Sequence, residues 1–340
     1  MAMIRLENLS KHYKVLNRSE GLSGALKDLF SRDYRIVKAV SDLSLEVNAG
    51  EIVGFVGPNG AGKSTTIKMM TGVLKPTSGL LTVNGRIPTK NRAQNMQEIG
   101  VVFGQRTQLW WDLPVIESFK ILRQIYRVDQ SSYNENMNIF EELIDLKALY
   151  STPVRYLSLG QRMLCDIVAS FLHNPKVIFL DEPTIGLDIS IKSRIREVIK
   201  TLNEHKQTTI ILTTHDLSDI EALCKRIVII DKGTTVYDGS IQKVSSMFGA
   251  HRTLKIQLPP AEYLALDQLA TSVNGHFSQA SAITMEQSEE GWIHFTINQD
   301  EVHLMDVLNY IGHHYPVHDI KIEEISIDKI VKNIYEGGLA

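Results

Sequence analysis

Apolar residues in this chain fall at two different spacings. Met3-Ile4-Arg5-Leu6-Glu7-Asn8-Leu9 and Val40-Ser41-Asp42-Leu43-Ser44-Leu45-Glu46-Val47 alternate apolar with polar, the period of a half-buried strand. Ile52-Val53-Gly54-Phe55-Val56, Val177-Ile178-Phe179-Leu180, Thr209-Ile210-Ile211-Leu212 and Arg226-Ile227-Val228-Ile229-Ile230 are instead nearly continuous apolar runs, as in strands that a parallel sheet buries on both faces. Segments 79–85 and 99–103 read as further strands. Helix patterns separate the runs, beginning with Thr66-Ile67-Lys68-Met69-Met70, so a right-handed, doubly wound α/β sheet is expected. From about Gln108 to Pro175 the spacing is helical, notably over 116–127 and 139–149, which predicts a helical insert within the α/β domain.

Two stretches stand outside this pattern. Between the first two strands lies an insertion of roughly Leu16 to Lys38, expected as an extra loop. It carries Gly21, Gly24, the helically spaced Ala25-Leu26-Lys27-Asp28-Leu29-Phe30 and the cations Arg32, Arg35 and Lys38, a basic amphipathic turn suited to a membrane surface or a partner, or else a solvated loop. Past about Gln242, strand patterns at 251–258, 292–297 and 319–325 flank a helix pattern at 302–312, which predicts a small α+β appendage. The expected domains are therefore 3–241 and 242–340.

Composition narrows the class. With 340 residues, 43% of them hydrophobic, the chain can build one large or two ordinary cores, and its net charge of −3 leaves no footprint of general nucleic-acid binding. Cys165 and Cys224 sit in apolar helix-like segments and read as buried small hydrophobes. The first residues lack a secretory apolar core and no disulfide framework exists, so the reducing cytosol is the expected compartment. No apolar run approaches the ~18 residues of a membrane span.

The chemistry begins at Gly57-Pro58-Asn59-Gly60-Ala61-Gly62-Lys63-Ser64-Thr65, a match to GxxxxGK[ST] with a strand before it and a helix after it. Glycines leave room for backbone N–H groups to wrap anionic phosphate oxygens, and the helix N-terminus adds partial positive charge. Lys63 is placed for the β- and γ-phosphates and the Ser64 hydroxyl for Mg²⁺. Asp181 and Glu182 follow a buried strand at the edge where open α/β sheets bind ligands. This assigns Asp181 to the metal and Glu182 to the attacking water. His215 ends the next apolar strand in the same way, where an imidazole can hydrogen-bond a γ-phosphate.

With these motifs the chain resembles the ATP-binding subunit of an ABC transporter, over about residues 3 to 240. Residues 57–65 look like the Walker A segment and 177–182 like Walker B. Tyr156-Leu157-Ser158-Leu159-Gly160-Gln161-Arg162-Met163 is similar to the LSGGQ signature, with Leu159 where the family has its first glycine. Gln105 resembles the Q-loop, Gly186-Leu187-Asp188 the D-loop, His215 the H-loop and Tyr13 the adenine-stacking aromatic. The resemblance implies a P-loop NTPase fold with an N-terminal antiparallel β subdomain. It implies ATP and Mg²⁺ as cofactors, with Gln105 touching the metal beside Ser64 and Asp181. It also implies a head-to-tail partnership with a second cassette, identical or paralogous, whose nucleotide Ser158, Leu159, Gly160 and Gln161 would meet in trans.

A separate transmembrane permease is the other implied partner, which places the protein at the cytoplasmic face of the membrane. The segment Gly104 to Pro114, containing Trp110 and Trp111, lies where the family meets its permease, and with Leu159 it is similar to bacterial drug-export (ABC-2-type) cassettes. The other reading is a soluble ABC ATPase acting on ribosomes or nucleic acid. Such proteins carry two cassettes on one chain or a long coiled-coil insertion, and neither pattern occurs here. Seven of the eleven histidines lie from His251 onward, but their spacing fits no metal-ligand framework.

Overall fold

The computed structural model describes residues 2–16, 34–104, 106–214, 216–247, 251–259, 266–277, 283–287 and 292–324. The chain divides into two compact units, Met1–Gly239 and Ser240–Ala340.

In the first unit, β1 (Ala2–Leu16) and β2 (Tyr34–Asn48) form a long antiparallel pair. A buried strand, β3 (Ile52–Val56), then leads into α1 (Lys63–Met70), and β4 (Ser78–Val83) pairs with β1 to complete a three-stranded sheet in the order β2-β1-β4. α2 (Arg92–Glu98) and β5 (Ile99–Phe103) follow, then the helical insert with α3 (Val115–Tyr126), α4 (Gln130–Leu143) and α5 (Leu159–Phe171). β6 (Val177–Asp181), α6 (Ile189–Lys206), β7 (Thr209–Thr213), α7 (Leu217–Leu223), β8 (Arg226–Asp231) and β9 (Thr234–Ser240) close the unit.

Six strands run in the order β5-β6-β7-β3-β8-β9, and β5·β6, β6·β7, β7·β3 and β3·β8 are all parallel pairs. The apolar runs explain this: Ile178, Phe179, Leu180, Ile210, Ile211 and Leu212 are all at 0% exposure, so both faces of these strands are covered. At the sheet edge, Lys232 and Gly233 both take positive φ, as a two-residue type I′ hairpin between β8 and β9 requires. One continuous core joins Ile4, Leu6, Leu43 and Leu45 of the antiparallel sheet to Phe55, Ile67, Met69, Phe179 and Val228. α1 is thus clamped between two sheets, and the loop before it is anchored at both ends.

Two expectations about the elements need correction. The insertion expected over 16–38 is shorter at both ends, because Leu16 belongs to β1 and Tyr34-Arg35-Ile36-Val37-Lys38 belong to β2. These β-branched and aromatic residues continue the ladder as far as Leu16↔Tyr34. The basic amphipathic turn at Ala25–Phe30 lies outside the described residues. The helix expected over 139–149 instead starts at Gln130, where the Asp129 carboxylate accepts a hydrogen bond from Ser132 N at 2.9 Å, and ends at Leu143 before a separate 3₁₀ turn, Lys147–Leu149.

The second unit opens with α8 (Ile241–Met247), followed by β10 (His251–Gln257), α9 (Leu266–His276), β11 (Ile283–Gln287), β12 (Trp292–Asn298), α10 (Leu304–His314) and β13 (Asp319–Glu324). From β10 onward the order is βαββαβ, with an antiparallel sheet arranged β11-β12-β10-β13, the split β-α-β plan of ferredoxin-like domains. Leu254, Ile256, Phe295, Ile297, Val307 and Ile311 fill its own core.

Candidate active site

The loop after β3 owes its path to glycine. Gly60 and Gly62 sit at φ 84° and 106°, in the left-handed region that other residues avoid. A Cβ on Gly57 would lie 2.5 Å from the Ile230 carbonyl oxygen, and one on Gly62 2.6 Å from that of Ala39. The loop therefore runs close against its neighbours. Lys63 is buried, and its ammonium donates to the carbonyls of Gly57 at 2.5 Å and Pro58 at 3.1 Å. Burial lowers the Lys63 pKa from its ordinary value, while the attraction of Glu182 and Asp181 opposes that shift. Ala39, Pro58 to Thr65 and Glu182 line a cavity of about 180 Å³ around this loop.

Parallel register brings the acids to the same edge. Asp181 pairs with Phe103 of β5 and with Thr213 of β7, and the Thr213 hydroxyl donates to the Asp181 carboxylate at 2.5 Å. Glu182 turns away at φ 56°, with its N–H donating to Thr213 O at 2.9 Å. Gly104 donates its N–H to Asp181 O at 2.8 Å, and its Cα passes so close to the turn that a Cβ would lie 2.0 Å from Glu182 O. A cavity of about 340 Å³ lies against this edge, lined by Ser64, Lys68, Phe103, Gly104, Arg106, Asp181 and Glu182. Ser64 and Asp181 thus present a hydroxyl and a carboxylate to one space, a set of hard oxygen donors that fits Mg²⁺. Gln105 and His215 lie outside the described residues.

At the other end of the insert, Ser158 caps α5. Its hydroxyl accepts from Gln161 N at 3.2 Å, and the Gln161 side chain accepts from Ser158 N at 3.0 Å, a reciprocal capping box. Gly160 lets α5 approach α6, since a Cβ there would meet the Ile191 side chain at 2.7 Å. Leu159 is half exposed beside Gly186. Asp188 caps α6, accepting from Ile191 N at 3.0 Å. Tyr13 is partly exposed on β1, opposite Val37, with the Lys11 ammonium 5.2 Å from its ring centroid.

The comparisons agree with this geometry. The ABC transporter family profile matches residues 40–185. The ABC transporter ATP-binding protein NatA of Bacillus subtilis is 32% identical over 215 residues, covering 63% of this chain and 87% of NatA. This chain is an ABC transporter ATP-binding protein. The cassette is accordingly an ATP-binding subunit and an ATPase. The linearmycin resistance ATP-binding protein LnrL of B. subtilis is 27% identical over 298 residues, 87% of this chain and 93% of LnrL. The methionine import ATP-binding protein MetN of Geobacillus kaustophilus is 32% identical over 71% of this chain and 67% of MetN. Among solved structures, a dimeric bacterial ABC transporter cassette aligns with TM-score 0.58 and 25% identity over 70% of this chain and 99% of that one.

Several residues of the cassette that hold this site escaped the sequence reading. Asp219, fully buried, accepts from the hydroxyls of Thr184 and, at 3.1 Å, Thr214, and from Arg196 Nε at 2.6 Å. One carboxylate on α7 thereby ties the turn after Glu182 to the residue before His215 and to α6. Asp166 of α5 does the same for the segment after β5, accepting from the Thr107 hydroxyl and Gln108 N, both at 3.0 Å. The signal available for both was an acid inside an apolar helical stretch, which needs a partner when buried. Burial pushes the Asp166 carboxyl up to about 6, against the lowering effect of those hydrogen bonds and of nearby Arg162.

Gly104→Ala is expected to destabilise the protein by about 1–3 kcal/mol or more in urea titrations, because the methyl group meets backbone rather than a movable side chain. For Asp166 the folded state holds the proton more tightly than the unfolded chain. Its stabilising contribution is therefore complete below about pH 4 and is lost as pH rises through about 6. Asp166→Asn should match the parent near pH 4 and exceed its stability at pH 7 by up to about 3 kcal/mol, as measured by denaturation across that range.

Proposed function

We propose that this cassette hydrolyses Mg²⁺-ATP between two head-to-tail copies or paralogues, and so powers export through a separate transmembrane permease at the cytoplasmic face of the membrane. The observation that carries the two-cassette reading is a separation of parts. Glu182 lines three cavities, and Ser158, Leu159, Gly160 and Gln161 line none of them. The signature helix end needs a nucleotide supplied from elsewhere, and the site at Glu182 needs a second wall. The bacterial cassette that this chain resembles is dimeric, which supports an assembly of two cassettes.

In this reading the amides of Gly57 to Ser64 and the Lys63 ammonium hold the phosphates. Lys63 exchanges the Gly57 and Pro58 carbonyls for phosphate oxygens, which restores its preference for the charged form. Tyr13 stacks on the adenine. Glu182 accepts the proton of the attacking water, His215 hydrogen-bonds the γ-phosphate, and Asp188 holds the start of α6 at the cassette boundary. Ser64, Gln105 and Asp181 would hold Mg²⁺, which when bound would supply charge stabilisation to the transferring phosphoryl group. The Thr213 hydroxyl keeps the Asp181 carboxylate pointed at that position.

The permease contact is assigned to the insert. Trp110 and Trp111 are 37% and 49% exposed, Arg162 lies over the Trp111 ring at 5.2 Å, and Arg155 pairs with Asp112 at 2.6 Å. An exposed aromatic pair framed by arginines has the composition of a protein interface. No helix among the described residues is long and apolar enough to cross a membrane. The export reading is supported by the greater reach of LnrL, named for linearmycin resistance, which matches 87% of this chain, over MetN, named for import, which matches 71%.

Glu182→Gln is expected to lower ATP turnover about 100-fold or more while trapping an ATP-bound dimer visible by size-exclusion chromatography; near-normal turnover removes Glu182 from the general-base role. Native pull-down from mild detergent with ATP, followed by mass spectrometry, should recover a multi-span protein. Recovery of ribosomal proteins instead, with the chain absent from membranes, would favour a soluble ATPase.

A further inference from the structure

The far end of the β1–β2 ribbon has no role in nucleotide chemistry on one of its two sides. β4 pairs with β1 only as far as Ser10, so beyond that point β1 and β2 form, among the described residues, a two-stranded ribbon with two faces. Its register is regular from His12 to Leu16, and directly opposed residues share a face. Tyr13↔Val37 and Val15↔Arg35 make the face that carries the adenine-stacking tyrosine. His12↔Lys38, Lys14↔Ile36 and Leu16↔Tyr34 make the opposite face.

That opposite face has an uncommon composition for free protein surface. Leu16, Tyr34 and Ile36 are 42%, 46% and 62% exposed, next to one another at the ribbon tip. Lys14 and Lys38, both exposed, flank them, with His12 beside Lys38. Neither 11–16 nor 34–41 contains a carboxylate. Aliphatic side chains, a tyrosine and lysines on one face, without acids, match a bilayer interface: the apolar groups enter the headgroup boundary, tyrosine takes the interfacial layer, and lysines reach anionic phosphates. Lysine is depleted at the centre of protein–protein contacts, which makes a permease surface the poorer fit.

We infer that this face of the ribbon, built on Lys14, Leu16, Tyr34, Ile36 and Lys38, docks directly on an anionic lipid surface without help from another protein. The contact is a shallow insertion plus electrostatic attraction, so it is weak, reversible and weakened by salt. It goes beyond the permease reading and does not depend on it, because lipid binding is read on vesicles that contain no protein.

The test is flotation of the full chain with vesicles of phosphatidylcholine alone or with one third phosphatidylglycerol, at low and high salt. The expected result is binding to the anionic vesicles at low salt that falls about tenfold or more in Lys14→Glu/Lys38→Glu and in Ile36→Ser, with ATP binding unchanged in each. A Tyr34→Trp chain provides a second reading that does not rest on loss. Its added fluorescence should be quenched by brominated lipid in anionic vesicles beyond the quenching seen for the parent chain. Equal flotation with both vesicle types, undiminished binding in the ribbon variants, or capture only when the permease is present would overturn the lipid assignment; the last would leave the permease reading standing.

Discussion

At the hydrolytic end of the sheet everything is arranged around one backbone turn. Glu182 leaves β6 at φ 56°, a conformation that disfavours a side chain with a Cβ, and neighbouring backbone holds it there. Its N–H is taken by Thr213, the preceding carbonyl is taken by Gly104, and Gly104 itself packs where no other residue has room. Three parallel strands, β5, β6 and β7, therefore end at one level. The carboxylate that leads into the turn is pinned by the Thr213 hydroxyl, and the carboxylate in the turn lines the same cavities as Lys63 and Ser64.

Charge is managed by the same economy of partners. Lys63 donates to two backbone carbonyls, and burial lowers its pKa against the attraction of Glu182 and Asp181. An anionic phosphate, as proposed for this loop, would add to that attraction. Asp219 shows the other solution: a fully buried carboxylate with a guanidinium and two hydroxyls around it, which joins α6, α7 and the turn after Glu182. Asp166 has hydrogen bonds but no close ion-pair partner, and its raised pKa records that difference.

The signature residues serve helix architecture before any nucleotide is considered. Ser158 and Gln161 satisfy each other at the start of α5, and Gly160 gives α6 its seat through Ile191. Leu159, in place of the family's glycine, lies half exposed at that helix end, where its side chain displaces no part of the cap. The serine, glycine and glutamine are thus held by contacts within the single chain, which is what the proposed meeting with a partner cassette's nucleotide requires.

The sequence by itself determined the phosphate loop, the acids at the end of β6 and the mainly parallel sheet, because each is local: glycine spacing, one apolar run, and a carboxylate pair at its end. The change of apolar pattern past about Gln242 led to the expectation of a separate α+β body, and the second compact unit of the structure begins at Ser240. What it left open depended on contacts distant in the chain. Gly104 against Glu182, Asp219 among Thr184, Arg196 and Thr214, and Asp166 under Thr107 and Gln108 could not be paired from the sequence, because an acid inside an apolar helical stretch signals the need for a partner without naming it, and a loop glycine does not name the backbone it packs against. The continuation of β2 back to Tyr34 was hidden for the same reason: only pairing with Leu16 across the insertion decides that Tyr34 to Lys38 is strand. Local chemistry wrote the motifs, and long-range burial and pairing decided which residues hold them in place.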